Sequence, residues 1–160
     1  MPALLRIFVD LCLLRAAPQD LPAARTLLGV TLAAYALVSL MLAAAQLSLS
    51  RALLYALLDT LVLALLTHTL LILRRAPARL PQTLSALAGT GAILGVIAWP
   101  LTTLDEPSWL LFILLIWSLA VSANILRHAL SVSLGVALLA SLGYLLMGFA
   151  VTGALLPQGL

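Results

Sequence analysis

Apolar residues run through this chain for about twenty positions at a time, without the polar residue every three or four places that marks a helix on a soluble core. Five such stretches can be traced, at 27–47, 51–73, 82–104, 109–126 and 132–156. Each is close to the roughly 20 residues a helix needs to cross a bilayer. The links between them are short. Ser48-Leu49-Ser50 joins the first two and forces an antiparallel hairpin. Residues 74–81 are basic and broken by Pro77 and Pro81, which marks a loop. Asp105-Glu106-Pro107-Ser108 is expected to turn the chain and cap the fourth span, since proline suits a first helical turn. Ser131 stands where it could cap the fifth. The pattern predicts an all-α polytopic membrane protein, a bundle of five transmembrane helices in one domain covering 1–160.

Residues 1–26 form a cytoplasmic or interfacial segment. The stretch 2–17 reads as a helix too short and too charged to span, and is expected to lie in the membrane interface. Arg6 and Asp10, four apart, can pair on one face, with Arg15 on the other side. Pro18 and Pro22 then break the helix, and Asp20 is placed to cap the first span. No cleavable signal peptide is expected, because Arg6 and Asp10 interrupt the apolar run and no small-x-small site follows before Pro18.

Composition agrees with lipid as the solvent. Of 160 residues 64% are hydrophobic and 8% charged, with a mean hydropathy of +1.24, whereas soluble domains carry about 25% charged residues. The net charge of +3 comes entirely from arginine. Those arginines sit at the ends of apolar runs, so they read as topology signals and not as a nucleic-acid footprint. With the N-terminus inside, Arg6, Arg15, Arg25, Arg74, Arg75, Arg79 and Arg127 are cytoplasmic and only Arg51 is outside. That bias predicts a multi-pass protein with a cytoplasmic N-terminus and the C-terminus on the far side. Trp99 and Trp109 then flank the outer interface. A composition rich in alanine, leucine and arginine without lysine suggests a high-GC bacterium, hence a bacterial inner membrane and a periplasmic C-terminus.

Candidate chemistry is sparse. Cys12 is the single cysteine, which excludes an internal disulfide and cysteine-rich zinc sites. No HExxH, P-loop, Ser/His/Asp set or dinucleotide fingerprint is present, so no enzyme, metal or cofactor is expected. Asp59 is the costliest residue to keep. It lies eight residues into the second span, about 12 Å along the helix, where a carboxyl either finds partners or serves as a proton or cation site. Tyr55, one turn earlier, is the nearest candidate donor, with Ser39, Ser118 and Tyr144 at similar depth. His68, nine residues on, points to the opposite face near the cytoplasmic end and reads as an interfacial histidine.

Two further sets are structural in the first instance. Gly91 and Gly95 make a GxxxG face, Ser85 and Gly89 a second small stripe, and Gly143 thins the fifth span. Such faces let helices approach closely, within one chain or between chains. Arg74, Arg75, Arg79, Arg127 and His128 form a cytoplasmic basic collar. It sets topology and could meet anionic lipid headgroups.

The layout of a cytoplasmic N-terminal segment, five spans and a short tail, with Pro18-Gln19-Asp20-Leu21-Pro22 before the first span and Ser141-Leu142-Gly143-Tyr144 in the fifth, resembles the Yip-domain family of small membrane proteins. Eukaryotic members carry an acidic-Leu-Tyr-Gly-Pro type motif before the membrane. Here Asp20-Leu21 meets Pro22 directly, so the resemblance implies the fold without the small-GTPase partnership. The sequence is read first as a non-enzymatic scaffold or accessory subunit that binds a membrane-protein partner, or a further copy of itself, through small-residue faces. The alternative is a small oligomeric transporter or channel with Asp59 as its ionisable site.

Overall fold

The computed structural model describes residues 2–102 and 108–155, and every element described is helical. In chain order these are α1 Pro2–Cys12, α2 Arg25–Ala44, α3 Leu49–Leu73, α4 Leu80–Leu101, α5 Ser108–Leu130 and α6 Leu134–Leu155, with 3-10 turns at Pro18–Asp20 and Pro77–Arg79. Four segments are long and apolar enough to cross a membrane: Arg25–Ala44, Leu49–Leu73, Pro77–Leu101 and Trp109–Leu130. A shorter apolar helix, Leu134–Ala150, follows them. The expected turn at Asp105 and Glu106, and the end of the fifth stretch at Leu156, lie outside the described residues.

Three helix ends differ from the sequence expectation, each for a local reason. Asp20 does not cap α2. Its Oδ2 accepts the Ala17 N–H at 2.8 Å and closes the 3-10 turn, while α2 starts behind Ala24 with no side-chain cap. α5 runs on past residue 126 to Leu130, which puts Arg127 and His128 inside its last turn, where positive charge complements the helix C-terminus. Ser131 ends α5 instead of starting α6.

The ends of α1, α3 and α5 share one device. Leu14, Arg75 and Ser131 each hold a positive φ, at 62°, 55° and 52°. The following N–H reaches back to the carbonyl five residues earlier: Arg15 to Asp10, Ala76 to Leu71, Val132 to Arg127, at 2.8, 2.8 and 3.2 Å. These are Schellman caps built without glycine. The left-handed conformation costs an L-residue roughly 1–2 kcal/mol. Leu14→Gly is therefore expected to stabilise the protein by about 1 kcal/mol, measured as a raised unfolding midpoint in detergent.

The five long helices close a ring. Each packs on two neighbours in the order α2, α3, α6, α5, α4 and back to α2, with α3 also touching α4 across the ring. α4 is the most buried, with Thr83 to Thr90 enclosed without a break. The ring is filled at the end where α4 begins, by Leu71, Leu84, Val121, Ile125 and Leu126.

α1 stands alongside α4 and α5 and not across the helix ends. Phe8 sits against Gly89, and the Trp117 indole N–H donates to the Cys12 carbonyl at 3.0 Å. Residues 18–21 are held at the end of the bundle, where Gln19 Nε2 donates to the His128 carbonyl and Gln82 Nε2 to that of Leu21. From His128 to Trp117 is about 16 Å of helix, and from Gln82 to Gly89 about 10 Å. The difference matches the ~6 Å of helix between Phe8 and Cys12. α1 thus runs parallel to the bundle axis, enters from the end where α4 starts and stops half-way along it. Its Phe8, Leu11 and Cys12 are buried while Leu5, Val9 and Leu13 face outward. The expected Arg6–Asp10 pair is present at 3.9 Å.

Candidate functional site

At the opposite end the ring is hollow. A partly open cavity of about 470 Å³ lies there, walled by all five long helices. Small residues form part of its wall, Gly91, Gly95 and Ala98 on α4, Ser118 and Ser122 on α5, Ser141 and Gly148 on α6, among leucines from the same helices. The same five helices are packed solid at one end and leave room at the other.

Asp59 lines this cavity from α3. The Ser39 hydroxyl, from α2, donates to its Oδ2 at 2.8 Å. The Tyr35 hydroxyl, one turn before Ser39, lies within hydrogen-bonding reach of the same carboxyl. The carboxyl thus gains donors from the neighbouring helix. Tyr55, the donor expected from the sequence, also lines the cavity. Ser118 and Tyr144, expected at the same depth, do so too. Ser118 Oγ is turned to its own helix, donating to the Leu115 carbonyl at 2.8 Å. Tyr144 pins α6 to α3. Thr67 Oγ1 donates to the Leu63 carbonyl at 2.6 Å, so the Tyr144 hydroxyl donates to Thr67 at 2.9 Å.

His68 is exposed on α3 and lines no part of the cavity. The small residues divide between two partners within the chain. A Cβ on Gly91 would stand 2.8 Å from the Tyr35 ring, and one on Gly95 would stand 2.5 Å from Val38 Cγ1, so this face receives α2. A Cβ on Gly89 would strike the Phe8 ring, so the second stripe receives α1. Ser85, one turn earlier, is fully buried, and its Oγ lacks a hydrogen-bond partner among the described residues. Gly143 differs from the other three glycines. A Cβ there would meet nothing within 4 Å.

The basic collar is not uniform. Arg74, Arg75, Arg127 and His128 are exposed. Arg79 instead turns inward, donating from Nη1 to the Ala129 carbonyl at 2.9 Å and the Ser131 hydroxyl at 3.3 Å. It satisfies orphan groups at the end of α5 and so ties the loop before α4 to the α5–α6 link. His128 Nδ1 lies 2.8 Å from the Asn124 carbonyl.

Among the described residues no three His, Cys, Asp or Glu side chains converge on a metal site. Burial pushes the Cys12 thiol above its usual range, which makes it a slow nucleophile. Comparison with known protein families, with characterised proteins and with solved structures finds no match to this chain.

Proposed function

We propose that this chain is a non-enzymatic, five-span protein of the bacterial inner membrane that binds a small ligand in a cavity of its own bundle and passes it across, with Asp59 as the ionisable site. The observation that carries this reading is the meeting of Asp59, Ser39 and Tyr35 on the wall of a cavity bounded by every long helix. Intramembrane acids are expensive and cluster at ligand and ion paths. The cavity is walled by one chain, so the reading needs no oligomer. Arginine placement supports a cytoplasmic α1 end, with the cavity then in the periplasmic half. The Yip-domain likeness bears on span layout alone.

An accessory-subunit role has lost its first support, because Gly91 and Gly95 are occupied by α2. One observation still favours it. Gly135 and Gly143 border open space on α6, beside the exposed Leu139 and Leu146, and a partner helix could lie there.

The test is proton flux into liposomes holding the purified protein under an imposed pH gradient. The natural chain is expected to dissipate the gradient faster than empty liposomes, and Asp59→Asn to return it to background. Equal rates for the two chains would overturn the reading.

A further inference from the structure

The chemistry of the cavity wall narrows the ligand. Among the described residues lining it, Asp59 is the single charged side chain. The titratable groups that share the wall are the phenols of Tyr35 on α2, Tyr55 on α3 and Tyr144 on α6. α4 contributes Thr90 and glycines, and α5 Ser118 and Ser122, none of which titrates. Among the described residues no arginine or histidine lines this cavity.

An isolated carboxylate in such a wall is costly unless something positive neutralises it, and no cationic side chain is among the described residues that line it. Ser39 and Tyr35 account for two of roughly four acceptor positions on the carboxylate. Acceptor capacity is left for a ligand. A small hard cation is a poor fit, because calcium-like ions take 6–8 oxygen ligands, roughly, and magnesium an octahedron. An organic cation is a better one. Its charge is spread and weakly hydrated, its apolar body suits the leucine-rich walls, and the rings of Tyr35, Tyr55, Tyr144 and Phe149 line the space it would fill. Aromatic faces attract such cations, most strongly where water is excluded. The volume, about 470 Å³, falls among small-molecule sites of roughly 300–1,000 Å³.

We infer that the cavity takes an amphiphilic organic cation, an amine or quaternary onium, which pairs with Asp59 in place of the proton that carboxyl otherwise carries. The exchange balances. One proton leaves the carboxyl as one positive charge enters, with no bond made to carbon and nothing oxidised or reduced. The inference rests on the ligand-path reading of the cavity and adds the class of ligand.

The probe is tetraphenylphosphonium, titrated calorimetrically into the purified full chain in detergent, with empty micelles as the blank. Saturable binding is expected, with about one proton released per cation, read from the difference between buffers of unlike ionisation enthalpy. Asp59→Asn is expected to weaken binding by at least ~30-fold. Asp59→Glu, which keeps the charge, is expected to hold it within about threefold, and both variants are to be checked for an unchanged unfolding midpoint. Tetraphenylborate, of the same shape and opposite charge, is expected not to compete. Binding of the borate as tight as that of the phosphonium, or phosphonium binding that ignores Asp59→Asn, overturns the inference. Asp59-dependent proton flux without phosphonium binding means that the ligand class is wrong and the path right. Phosphonium binding through Asp59 without flux leaves the cation site standing and removes the transport reading.

Discussion

Gly91→Leu is expected to push α2 off α4 and to fill the cavity in one step. The Cβ alone would come within 2.8 Å of the Tyr35 ring, and the rest of the leucine side chain would extend into the cavity that Gly91 lines. Tyr35 stands at the carboxyl of Asp59, so displacing the ring also removes a neighbour that helps to satisfy the acid. Overpacking a well-filled contact costs about 1–3 kcal/mol. We expect the upper part of that range in a denaturant titration in detergent, together with loss of phosphonium binding. Gly143→Leu is the control. Open space surrounds that glycine, so stability and binding are expected to stay within about 0.5 kcal/mol of the natural chain. Equal effects of the two substitutions would mean that Gly91 does not seat α2.

Gly89→Leu is expected to release α1 while leaving the ring of long helices intact. The Phe8 ring occupies the place of the missing Cβ, and α1 is held otherwise by its apolar face and by the Trp117 hydrogen bond to the Cys12 carbonyl. Cys12 reports the event directly. As the single cysteine, buried and with its thiol pushed up, it labels slowly in the natural chain, and more thiolate forms only as pH rises above the ordinary range. Losing about 1.4 kcal/mol or more of docking energy raises the open population about tenfold. Maleimide labelling of Cys12 is expected to accelerate by at least about that factor, with helix content and the Asp59 site unchanged. Labelling at the natural rate would show that α1 docks without the small stripe.

Much of the fold is legible from local signals. The apolar runs mark the long helices, because lipid leaves the backbone no partner but itself and so ties run length to bilayer thickness. The basic residues at 74 to 79 mark the loop between α3 and α4. Where the reading erred, a residue had two local uses. Asp20 could cap forwards or backwards, and Ser131 could end one helix or begin the next. Only the surrounding contacts choose. The packing of α1 along α4 and α5 is not legible for a similar reason. Its charges suggest an interface, and the glycine that receives Phe8 is far away in sequence.

The site was legible in its parts. Asp59 stands out because an acid in an apolar run has a cost that needs a reason. Ser39, Ser118 and Tyr144 could be placed at its depth by counting residues. Tyr35 carried no such signal. A tyrosine in an apolar helix is ordinary, and its place beside Asp59 depends on how α2 is rotated against α3 and on Gly91 leaving room for its ring.

By itself the sequence determined the run of its long apolar helices and the one acid worth explaining, because hydropathy and spacing act along the chain. Tertiary structure alone decided that the small stripes serve α1 and α2 within the chain. It also decided that the bundle is solid at one end and hollow at the other, and that Asp59 faces the hollow with Ser39 and Tyr35 at its side. Those outcomes turn on helix order and rotation, which are set by side chains meeting across long separations.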